Sequence, residues 1–185
     1  MNRIFTVFAL FAIGFMLAAM FIGLSIGELT PDASESTRRL GTMHRLSGIA
    51  ASLVVVLVNS VVVTYFIGTS RWCREVVETY RLDARLLRRS TSLKRGTFPI
   101  ATLSMLAVVG VVALGGAADP AAALQLKPLG GLTWSSLHFY GALLGTAFIA
   151  YSFVMEWINI QAHREVIAEI LAEVHRIRVE KGLEV

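Results

Sequence analysis

A single cysteine, Cys73, in 185 residues rules out an internal disulfide and every metal or iron–sulfur site that needs several thiolates from one chain. Charged residues make up only 16% of the chain, well below the share a soluble domain uses to keep its surface in water. The motifs that carry familiar chemistry are missing as well. There is no Walker loop, GxSxG, HExxH, GxGxxG or EF-hand spacing, so nucleotide-driven and hydrolytic readings fall away and an enzyme is not expected. The net charge of +4 does not point to nucleic acid, because the basic residues flank apolar segments rather than forming a folded face of their own.

What the chain has is apolar length. Hydrophobic residues are 55% of the sequence and the mean hydropathy is +0.66. The excess falls in four blocks, at about 4–27, 46–67, 98–117 and 137–158. Each is long enough for the roughly 20 helical residues that cross a hydrocarbon core of about 30 Å. The first block exceeds a secretory h-region and no A-x-A-like site precedes Glu28, so it reads as an uncleaved helix. Thr42 is expected to cap the second helix and Ser135 or Ser136 the fourth, with Pro99 in the first turn of the third.

Lys and Arg are lopsided between the loops. Thirteen of the 17 lie at Arg3, between Arg71 and Arg95, and after the fourth block, against Arg38, Arg39, Arg45 and Lys127 on the other side. Positive charge is retained inside, which predicts cytoplasmic termini and a cytoplasmic central loop, as in a multi-pass protein of a bacterial inner (plasma) membrane. The expected fold is all-α: a four-helix transmembrane bundle of up-down topology in a lipid bilayer, with cytoplasmic helical extensions after spans two and four, forming a single domain over 1–185.

Those extensions cover about 69–95 and 159–181. In the first, Trp72, Val76, Val77, Tyr80 and Leu82 recur at near-helical spacing among arginines, as in a helix lying on anionic lipid. In the second, Ile160, His163, Ile167, Ile170, Val174 and Ile177 step by threes and fours, a heptad seam that must be covered. The candidates for covering it are the helix following span two, a second copy in a homo-oligomer, or another membrane subunit.

Ionisable groups inside apolar spans are costly and so are functional suspects. His44 opens span two and His138 opens span four, two spans that run in the same direction, so both imidazoles sit at the same outer depth. Each begins a stripe of small residues: Gly48, Ser52 and Asn59 after His44, and Gly141, Gly145 and Ser152 after His138. Small residues permit close helix approach, the pattern from Gly141 to Gly145 being GxxxG, and they equally leave clearance for a flat macrocycle. The arrangement resembles, in outline, the four-helix b-type cytochromes, in which histidines of two non-adjacent parallel helices grip a haem. That resemblance implies His44 and His138 as axial ligands of a haem b, or as contacts of a quinone. A second haem is not implied, since Val58 and Ser152 stand where the family's second histidines would.

Other polar residues have plainer readings. Glu156, beside Trp157, is expected to snorkel to the interface. His163 and His175 lie far apart in the tail for a metal pair, and Cys73 between Arg71 and Arg74 is either reactive or simple filler. Two functions follow: a small subunit that anchors or assembles a larger membrane complex, held through Ile160, Ile167, Ile170, Val174 and Ile177; or, alternatively, a membrane electron carrier with haem or quinone at His44 and His138.

Overall fold

The computed structural model describes residues 2–26, 33–120, 127 and 130–183. It contains four helices, α1 (Asn2–Ser25), α2 (Glu35–Tyr80), α3 (Ala84–Ala118) and α4 (Trp134–Glu180). All four are long and apolar enough to cross a membrane. The expected end of the first span, Gly27, and Glu28 after it lie outside the described residues.

The contacts pack neighbouring helices in opposite directions. Asn59 and Ser70 of α2 meet Ser104 and Ser90 of α3, so rising numbers meet falling ones. Thr97 and Arg89 of α3 meet Asn159 and Glu169 of α4 in the same sense. Phe5 of α1 packs edge-on against Phe153 of α4 at a ring separation of 6.1 Å. One end of the bundle therefore carries the α2–α3 turn, the hairpin end; the other carries His44 and His138, the histidine end.

Buried positions trace a seam along each helix: Phe5, Ala9, Ala12, Met16 and Ala19 on α1, and Ala51, Val55, Val58, Val62 and Phe66 on α2. Steps of three and four keep these residues on one face. The opposite faces expose large apolar side chains such as Leu10, Phe21, Leu53, Leu106 and Leu144. A water-soluble surface does not carry so continuous an apolar coat, whereas lipid tails solvate it at no cost.

Helix boundaries differ from expectation in ways local chemistry explains. α2 starts earlier, because Ser34 accepts the Thr37 amide at 3.2 Å; Thr42 lies inside the helix and its hydroxyl bonds back to the Arg38 carbonyl. α4 is capped by Thr133, which accepts the Ser136 amide, rather than by either serine. α3 starts at Ala84 under an Asp83 cap, so Pro99 stands in mid-helix and leaves the Arg95 carbonyl without its usual amide donor.

The segment expected to lie on lipid is a helical hairpin, the end of α2 and the start of α3 joined by a tight turn at 81–83. α2 runs unbroken to Tyr80 and stops in a left-handed residue, Arg81 (φ 54°), with the Leu82 amide bonded to the Val77 carbonyl. Asp83 then starts α3 at once. The helical extensions are thus three rather than two, the ends of α2 and α4 joined by the start of α3, and they form a stalk with its own core of Cys73, Val77, Leu86, Val166 and Ile170. α4, 47 residues long, spans about 70 Å at 1.5 Å per residue and belongs to bundle and stalk alike.

Candidate functional site

Two polar constellations sit within the bundle. At the histidine end, His44 on α2 and His138 on α4 face each other with ring centroids 5.9 Å apart and ring planes at 74°. Each imidazole rests on a glycine of the preceding helix. A Cβ placed on Gly23 would lie 2.9 Å from His44 Cε1, and one on Gly115 would lie 3.0 Å from His138 Cε1. Only glycine leaves room for rings so close to the backbone.

The pattern repeats in the orienting contacts. His44 Nδ1 is 2.9 Å from the Ala19 carbonyl, one turn before Gly23. His138 Nδ1 is turned toward the Val111 carbonyl, one turn before Gly115, but stops short of a hydrogen bond and is buried without a partner. The first two helices and the last two are thus built alike: carbonyl, glycine and histidine in matching places. A histidine whose Nδ1–H donates to a carbonyl presents Nε2 as a free electron pair, the tautomer that binds a metal ion.

Few residues around this pair are buried. Buried residues end at Ala51 on α2, Val108 on α3 and Ile149 on α4; beyond them, among the described residues, only Ala19 and Gly41 are buried. Nothing lies within 4 Å of a Cβ built on Gly48. Gly141 and Gly145, by contrast, receive Leu114 and Val111, whose side chains would meet an added Cβ at 2.6 Å, so these two glycines bring α3 and α4 together. The Arg45–Asp119 ion pair, 2.9 Å, ties α2 to α3 at this end.

No protein-family model, curated protein or solved structure matches the chain. The geometry alone carries the functional reading.

The second constellation runs from mid-bundle to the stalk. Asn59 donates to the Val55 carbonyl and to Ser104, leaving its Oδ1 buried and unpartnered. Glu156 does not snorkel: it is fully buried and neither carboxylate oxygen has a partner. One turn on, Asn159 donates to Thr97. One turn further, His163 is fully buried, with Nε2 2.9 Å from Ser90 Oγ and Nδ1 3.5 Å from the Tyr65 hydroxyl; Ser90 in turn meets Ser70. The steps of three and four between Glu156, Asn159 and His163 put them on one stripe of α4 facing the core.

His163 is therefore not paired with His175, which is exposed on the stalk, and no group of three or more metal-binding side chains exists among the described residues. Burial pushes the Cys73 thiol up, away from the reactive thiolate, so Cys73 is filler in the stalk core. Burial also pushes the His163 imidazole down to about 4 from its ordinary 6.5. Between those values the unfolded chain binds more protons than the folded one, so stability held above about pH 6.5 is lost as the pH falls toward 4. Melting of the detergent-solubilised protein is expected to weaken over that window, and less so in His163→Gln; equal acid sensitivity of both proteins would contradict the assignment.

The heptad seam has found its cover within the chain. Ile160 and Ile170 are fully buried, while Ile167 and Val174 pack against the stalk core; Ile177 is half-buried. Arg89 fastens the same interface with both Glu169 oxygens at 2.7 Å.

Proposed function

We propose that the chain is a membrane electron-transfer protein that holds one b-type haem between His44 and His138, with its termini and stalk on the cytoplasmic side and the haem toward the outer face. The observation that carries this is the ring separation of 5.9 Å. Two imidazoles on one metal ion have centroids about 6 Å apart, from a metal–nitrogen bond of about 2 Å and roughly 1 Å from nitrogen to ring centre on each side. Few residues around the pair are buried and nothing stands within 4 Å of a Cβ on Gly48, which supports clearance for a macrocycle.

Charge supports the same place. Arg38 and Arg39 stand within two turns of His44 on the face that otherwise carries few positive residues. A haem brings two carboxylates, for which arginine is the preferred partner. A quinone would use the histidines as hydrogen-bond donors but gives no reason for two imidazoles to face each other over so short a distance. The anchor or assembly role draws less support, since Ile160, Ile167, Ile170 and Val174 of the heptad seam pack against this chain's own helices.

Orientation is supported by the loop charges, 13 of 17 basic residues falling on the hairpin side. Val58 and Ser152 are buried without histidine character, so one haem per chain is expected. The test is haem content: protein purified from haem-replete cells should carry about one haem b per chain by pyridine haemochrome assay, and His44→Ala and His138→Ala should each lose most of it. Retention in both variants would overturn the proposal.

A further inference from the structure

Glu156 is the one acidic residue within the four apolar stretches, and the haem reading makes no use of it. It is fully buried, and both its oxygens lack a partner. The third unpartnered buried acceptor nearby is Asn59 Oδ1, about one turn toward the histidine end by the register that pairs His44 with His138. Three acceptor oxygens with no donor among them call for a positive species, because an uncompensated carboxylate in such surroundings is strongly disfavoured.

We infer that Glu156 is a proton-binding site, and that its proton exchanges with solvent at the hairpin end along the file through Asn159, His163 and Ser90. Binding forms one O–H bond on the carboxylate; release breaks it, the proton passing along the file to water and leaving the charged carboxylate. No other bond changes. Glu156, Asn159 and His163 lie about one turn apart on α4, with axial gaps of about 5 Å, the span of a single water, and Ser90 of α3 meets His163. His163 fits a relay because one ring nitrogen faces Ser90 and the other Tyr65, so it accepts on one side and donates on the other.

The surroundings supply no other charge. α1 presents Phe5 and Ala9 to the core, α2 presents Val62 and Phe66, and α3 presents Ala101 and Thr97. The titratable groups nearest along the file are His163, Tyr65 and Cys73, the last beside Ser90, with Arg164 acting on Tyr65; Lys94, one turn beyond Thr97, is half-buried, and Arg3 of α1 is exposed. A metal cation fits poorly, since hard cations take six or more oxygens. The neighbouring hydroxyls of Ser152 and Thr97 are already engaged with the Phe148 and Leu93 carbonyls.

The test uses the full chain in lipid nanodiscs. Dicyclohexylcarbodiimide, an apolar reagent that attacks protonated carboxyls, should label Glu156 at neutral pH, with labelling that falls as the pH is raised and does not respond to sodium. Infrared difference spectra of wild type against Glu156→Gln should contain the carbonyl stretch of a protonated carboxyl. That band should shift on transfer to heavy water, severalfold more slowly in His163→Phe. Sodium protection from the reagent would replace the proton by a cation and overturn the inference, as would the absence of the carboxyl band. An unchanged exchange rate in His163→Phe would overturn the route.

Discussion

Gly23→Leu and Gly115→Leu are each expected to abolish haem binding while leaving both histidines in the sequence. The reason is steric and local. The first added carbon at Gly23 falls 2.9 Å from His44 Cε1, and at Gly115 it falls 3.0 Å from His138 Cε1, distances at which the ring itself must move. The His44 imidazole, held by the Ala19 carbonyl on one nitrogen, cannot shift without turning the other nitrogen off its target. Bound haem per purified chain is the readout, and Gly14→Leu is the control, since a Cβ on Gly14 meets nothing within 4 Å. Equal haem in Gly23→Leu and Gly14→Leu would show that the glycines do not seat the histidines.

Ile170→Ala should destabilise the stalk by roughly 2–5 kcal/mol, the sum of lost apolar burial and the cavity left behind. Ile170 is fully buried and belongs to a core shared by all three helices of the stalk, with Cys73 and Val77 from α2, Leu86 from α3 and Val166 beside it on α4. Unlike the bundle, this part is expected to stand in water, where burial of apolar surface drives packing. The neighbouring Leu171→Ala removes a side chain that is 52% exposed and should change little. Cleavage at Arg81 by trypsin, with its left-handed backbone at the tip of the α2–α3 turn, reports the difference: faster in Ile170→Ala and near wild type in Leu171→Ala. Indistinguishable cleavage of the two variants would mean that the stalk core contributes no stability.

Much of this fold was legible because lipid imposes a length rule. Four blocks of apolar sequence had to be four helices, since a chain in hydrocarbon must satisfy its backbone internally. The facing histidines were legible for a related reason: spans two and four run in the same direction, so their first turns share a depth. What was not legible was everything decided by a neighbouring helix. Gly23 and Gly115 look like ordinary glycines of apolar segments until the rings of His44 and His138 are seen to rest on them. Gly141 and Gly145 read equally as clearance or contact, and only the positions of Leu114 and Val111 assign them to contact here.

Glu156 was misjudged for the opposite reason. Its place beside Trp157 suggested an interfacial carboxylate, but the core-facing stripe that also holds Ile149, Ser152, Ile160 and His163 points it inward. That stripe was present in the sequence as threes and fours; reading it from Asn159 onward as a heptad seam hid its continuation into the bundle. The turn within the stalk was missed because Arg81 adopts a backbone conformation usually left to glycine, so nothing in "ETYRLDAR" announced a break between two helices.

The most direct test of the haem site is the visible absorption spectrum of the purified protein, oxidised and then reduced with dithionite, beside the double variant His44→Ala, His138→Ala. Two histidines on one iron predict a low-spin spectrum whose sharp paired bands appear on reduction in the wild type and are absent from the variant. A featureless spectrum from haem-replete cells would contradict the account.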